Sequence, residues 1–191
     1  MIDYLSAMLL NLAGGLFLLA GYVYFGLPQE KENQKAWAPG FLVVGLVAAI
    51  AGGHMMLTWP LGTEAGMKLY NSLFGEMAFL FGMLFLGAGL ALAMRWSLMS
   101  VAIYGVLASV AVIVLGVQML RLGLTKMPLP WGVGYILTGV AGCLVPVALR
   151  VPGCRGVRLG VALLLLAAGV LWLMTAYIAF WLHMADWGKP A

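Results

Sequence analysis

Charge is what this chain has least of. Asp, Glu, Lys and Arg make up 8% of its 191 residues, while 64% are hydrophobic. A soluble domain is roughly half apolar and about a quarter charged. Ten cations and six carboxylates cannot coat the water-facing surface of a chain this long, so lipid is the solvent for most of its side chains. Cysteine is nearly as scarce. Cys143 lies in an apolar run and Cys154 in the loop after it, at different expected depths, with no CxxC pair; this argues against a disulfide, a redox motif or a cysteine zinc site. No HExxH, GxSxG or GxxxxGK[ST] pattern occurs, so metalloprotease, serine-hydrolase and nucleotide-binding chemistry have no foothold. The net charge is +4, but the basic residues are scattered between apolar runs rather than gathered into a stripe or arm. That pattern fits membrane topology and not nucleic acid.

Long apolar runs are abundant. A helix needs about 20 apolar residues to cross the hydrocarbon, and six runs qualify: 4–26, 39–59, 69–95, 97–120, 130–149 and 157–184. The first starts without a basic leader and is expected to be a retained helix. The separators carry turn and charge signals, among them Pro28 with Lys31 and Lys35, Trp59-Pro60, Arg95-Trp96-Ser97, Pro128 and Pro130, and Pro152-Gly153. Loops this short force sequential helices to run antiparallel. The expected fold is all-α, a single integral membrane bundle of six transmembrane helices. Trp37, Trp59, Trp96, Trp131 and Trp187 fall at or near span ends, where an amphipathic ring prefers the headgroup zone. Small residues four apart, Ala49 with Gly53 and Gly105 with Ser109, suit close helix packing. A weak similarity between the stretches after the first and fourth spans hints at an inverted repeat.

Six spans put both termini on one side. Lys68, Arg121, Lys126 and Lys189 lie there, against Lys31, Lys35, Arg95, Arg150, Arg155 and Arg158 on the other. The positive-inside rule then expects a multi-pass protein of the plasma membrane with outward-facing termini.

Depth can be counted from those inner charges. His54 is nineteen residues from Lys35, Glu76 nineteen from Arg95, and Asn11 twenty from Lys31. At about 1.5 Å per residue each separation is close to one hydrocarbon thickness, so the three should share a level near the outer boundary. Asn71, Gln118, Tyr70, Tyr177 and His183 fall near or beyond that level, while the opposite half is almost wholly apolar. An ionised carboxylate in lipid must be partnered, buried in the bundle or protonated. His54, on the adjacent antiparallel helix, is the expected partner of Glu76.

His54 and Glu76 are therefore the leading candidates for ligand, proton or metal binding, with Asn11, Asn71 and Gln118 in support and Tyr70, Tyr177 and His183 as weaker candidates. The nearby Met55, Met56, Met77 and Met119 would add thioether ligands, though methionine is also a common core filler. A bis-histidine haem would need His54 and His183, yet His183 lies six residues, about 9 Å, beyond Tyr177, which shares the level of His54; a His54–Met haem stays open. The expectation is a non-catalytic protein that binds a small ligand, ion or cofactor at the outer leaflet, alone or as a subunit of a larger membrane complex. A small-solute or ion transporter and a purely structural subunit are the alternatives.

The segments GFLVVGLVAAIAGGHMMLTWPL, YNSLFGEMAFLFGMLFLGAGLALA and GVQMLRLGLTKMPL are similar to a prokaryotic multi-pass membrane family of uncharacterised function, domain of unknown function 981. The resemblance rests on Gly53-His54-Met55, Trp59-Pro60, Tyr70-Asn71 and Phe74-Gly75-Glu76, and covers about residues 1–150. It implies a bacterial or archaeal membrane protein and supplies no activity.

Overall fold

The computed structural model describes residues 4–62, 65–125 and 127–187. Six of its helices are long and apolar enough to cross a membrane. They are α1 (Tyr4–Gly21), α3 (Ala38–Thr58), α4 (Ala65–Ala93), α5 (Met99–Leu122), α6 (Pro128–Arg150) and α7 (Arg155–Trp187), with α2 a single turn at Lys31–Gln34. The boundaries follow local chemistry. α3 stops at Thr58 because Pro60 cannot continue the ladder, and Trp59 caps it in the left-handed region at φ 50°. α6 starts two residues before the expected span, so Pro128, expected in the linker, opens it together with Pro130, where a missing N–H costs nothing. α1 continues as a π-helical turn, Tyr22–Gly26, closed by the Leu27 N–H donating to the Tyr22 carbonyl at 2.7 Å.

Neighbours in sequence run antiparallel and the six long helices close into a ring in the order α1, α3, α4, α5, α6, α7 and back to α1. One end of the ring carries Lys31, Lys35, Arg95, Arg150, Arg155 and Arg158; it is the basic end.

The α3–α4 pair is the tightest. Gly45 faces Leu86, Ala49 faces Gly82, Gly52 faces Phe79, and Gly75 faces Met56, backbone against backbone. A β-carbon on Gly45 would stand 2.5 Å from the Leu86 nitrogen, and one on Gly82 would collide with the Ala49 nitrogen. Two helices can approach this closely only where side chains are absent. α5 and α6 mesh similarly, Gly116 against the Gly132 carbonyl. The contact between α4 and α5 is looser, made through side chains such as Leu84 on Gly105 and Val101 on Gly87.

Candidate functional site

The α3–α4 seam fixes the heights of the two leading candidates. In its register His54 lies level with Met77 and Glu76 with Met55, so the two differ in height by about one helical rise, 1.5 Å. The common level expected from counting residues is present. The expected pair is not. Both side chains are exposed, and among the described residues no ion pair or hydrogen bond joins them. Helix rotation is the reason. His54 is nine residues, about two and a half turns, beyond Gly45, which puts it on the face of α3 opposite the seam. Glu76 follows Gly75 by about 100°, which turns it off the seam as well. The buried methionine Met55 occupies the inward position that His54 would need. Beside His54, the Thr58 hydroxyl donates to the His54 carbonyl at 2.8 Å and lies 3.4 Å from Nδ1.

Two of the supporting candidates, Asn11 and Asn71, do structural work at separate places. Half-buried Asn11 donates from Nδ2 to the Val44 carbonyl at 3.1 Å, tying α1 to α3. Asn71 is fully buried. Its amide donates to the Gly62 carbonyl at 3.1 Å and its Oδ1 accepts from the Leu61 N–H at 3.4 Å, which pins the turn between α3 and α4. Half-buried Tyr70 stacks on Phe74 and meets Trp131 edge-on. Gln118 and Tyr177 are exposed on α5 and α7. His183 lies in α7, and its side chain is outside the described residues. The described groups do not converge on one point, and no cluster of three His, Cys, Asp or Glu occurs among the described residues.

What the ring does enclose is a chamber in its apolar half. It measures about 150 Å³ and lies where α4 and α5 stand apart. Phe81, Leu84 and Ala88 of α4, Ala102 and Val112 of α5 and Leu165 of α7 are among the side chains that line it. The polar side chains on its wall are mostly occupied. The Ser109 hydroxyl donates to the Gly105 carbonyl at 2.7 Å, and the Thr138 hydroxyl to the Gly134 carbonyl at 2.7 Å. A smaller cavity of about 70 Å³ adjoins it toward the terminal end, sharing Met77, Phe81, Val112 and Thr138 with the chamber. Buried Trp172 closes that side. Its Nε1 donates to Thr138 Oγ1 at 2.9 Å, and its ring meets Tyr135 edge-on at 5.2 Å. The Tyr135 hydroxyl in turn donates to the Leu73 carbonyl at 3.2 Å.

None of Tyr22, Thr138, Tyr135 or Trp172 stands out in the sequence as a site residue. One signal was available. Trp172 sits in the middle of an apolar run instead of at its end, and a buried indole N–H needs a partner inside the bundle.

Neither a curated protein nor a solved structure matches the chain. A family does, and it covers more than the first 150 residues that carry the sequence resemblance: the match runs on through α7 and past His183, over residues 1–186. The chain thus belongs to the family described as Protein of unknown function (DUF981).

Proposed function

We propose that this is a multi-pass protein of the plasma membrane that binds a small apolar ligand inside its bundle, with its basic end in the cytoplasm. One observation carries the reading: an apolar chamber of about 150 Å³ lies beside the loosest helix contact in the ring. Ligand pockets are concave, mostly apolar and supplied with a few polar groups. A gap between α4 and α5, spanned by side chains, gives a hydrophobic molecule a route in from the bilayer. The transporter alternative has less support, because the Ser109 and Thr138 hydroxyls are spent on helix carbonyls and offer a solute little to hold. His54 and Glu76, turned outward at one height, support contact with another membrane subunit more than a ligand site in the bundle.

The test fills the chamber. An environment-sensitive neutral dye is titrated into the purified full chain in lipid nanodiscs, and saturable binding is expected. Ala102→Phe, which adds a ring on the chamber wall, should weaken binding at least ten-fold, while Ile103→Phe on the exposed face of the same helix should leave it unchanged. Dye uptake that never saturates, or that ignores Ala102→Phe, overturns the proposal.

A further inference from the structure

A third cavity, about 190 Å³, opens at the basic end, and Lys31, Gln34, Arg95 and Ser97 are among its lining residues. It shares Tyr22, Leu98 and Leu149 with the apolar chamber, so these three side chains form the partition between a cationic mouth and an oily interior. Tyr22 comes from the π-helical turn. Its ring packs edge-on against Trp37 and Phe41, and its hydroxyl donates to Gln34 Oε1 at 2.8 Å. The partition is thus latched by one hydrogen bond that belongs to the mouth itself.

The two cations of the mouth differ in how they are held. Lys31 is exposed and makes no ion pair among the described residues. Arg95 pairs with Glu32 through Nη2 at 2.5 Å, which leaves other donors of its five-donor guanidinium for a second anion. Arg95 also stands where its backbone would favour another residue. Its N–H donates to the Leu92 carbonyl and the next N–H to the Ala91 carbonyl, which is the Schellman ending of α4, with Arg95 at the left-handed position, φ 60°. Glycine is the usual occupant there. The backbone there gives no reason for an arginine; its side chain serves the pair with Glu32 and the cationic mouth.

We infer that the ligand of this protein is an amphiphile with a single alkyl chain ending in an anion, its head held by Lys31 and Arg95 and its chain laid in the chamber past Tyr22, Leu98 and Leu149. This rests on the chamber reading above and names the ligand class for it. The wall of the chamber runs from Leu98, just before α5, to Val112, about 21 Å at the helical rise, which sets the direction of the chain; at about 150 Å³ the chamber takes the first part of that chain, and the remainder passes out between α4 and α5 toward lipid. The same three side chains bound both cavities, so a ligand reaching from mouth to chamber must displace them, and a single chain displaces them least. A free long-chain carboxylate and a single-chain anionic phospholipid share this chemistry.

Palmitate, hexadecanol and a lyso-phosphatidylglycerol are each used to displace the neutral dye from the full chain in phosphatidylcholine nanodiscs. At least one of the two anionic compounds is expected to bind ten-fold or more tightly than the alcohol, and which of them is tighter tells a free carboxylate from a lipid. Lys31→Gln and Arg95→Gln should each remove most of that advantage and leave the alcohol unaffected. Arg95→Gly relieves the left-handed backbone, so it should lose the advantage with no fall in Tm; a variant that loses it only by unfolding would not show this split. Anions that bind no better than the alcohol, or that ignore all three substitutions, overturn the head-group assignment while the chamber stands. Failure of all three compounds to displace the dye overturns the ligand class, and failure of the dye itself to bind removes the chamber with it.

Discussion

α4 has two working faces, and they are built differently. Toward α3 it presents Gly75, Gly82 and Gly89, seven residues apart, and the backbones touch. Toward α5 it presents Leu84, Gly87 and Ala88, and the contact passes through side chains beside a chamber. In lipid, burying one apolar surface against another gains little, because the tails are as apolar as leucine; helices are held by close packing and by hydrogen bonds. A face with a glycine stripe therefore fuses to its neighbour, and a face without one can stand off. α3 and α4 act as a rigid pair, and the α4–α5 side is where the ring can admit a molecule.

The largest expected effect attacks the fused face. Gly82→Leu drives a branched side chain into the backbone of α3 at Ala49. Overpacking a tight contact costs up to about 3 kcal/mol, and more where backbones must move. A steep drop in Tm of the detergent-solubilised protein is expected. A Gly82→Leu variant as stable as the parent would mean that the seam is not what holds this pair.

The contrast also shows how far the sequence could be read. All six spans were legible, because apolar length alone specifies a membrane helix. So was the height of His54 and Glu76, since rise per residue converts numbering into depth. Their rotation was not, because depth counting ignores which stripe of the helix faces a neighbour. The seven-residue spacing of Gly75, Gly82 and Gly89 held that information: it marks the seam and turns Glu76 away from it. The chamber and its mouth were out of reach, because they exist only where non-consecutive helices close the ring. Tyr22 and Gln34 lie twelve residues apart across a loop, and only the π-helical turn and α2 bring them to 2.8 Å.

A middle-sized effect tests the wall of the smaller cavity at the terminal end. Trp172→Phe keeps most of the buried ring but removes the Nε1 bond to Thr138. Thr138 keeps its own bond to the Gly134 carbonyl, so no donor is orphaned. The expected loss is that of one buried hydrogen bond, about 1 kcal/mol, read as a small fall in Tm. Thr138→Val should cost more, because it leaves the indole N–H buried and unpaired. If Trp172→Phe were the more damaging of the two, Trp172 would owe its place to shape and not to this bond.

The smallest effect probes the loose face directly. A β-carbon on Gly87 would meet Val101 Cγ2 at 3.5 Å, ordinary van der Waals distance, so α5 need not move. Alanine is favoured over glycine inside a helix by about 0.5 to 1 kcal/mol, because glycine surrenders more conformational freedom on folding. Gly87→Ala is therefore expected to raise Tm slightly, while the same change at Gly82 lowers it, since a single methyl there already meets the α3 backbone. Opposite signs for one substitution on two faces of one helix would confirm that α4 is fused on one side and free on the other. Equal losses at both positions would mean that α5 packs as closely as α3, leaving no lateral route into the chamber.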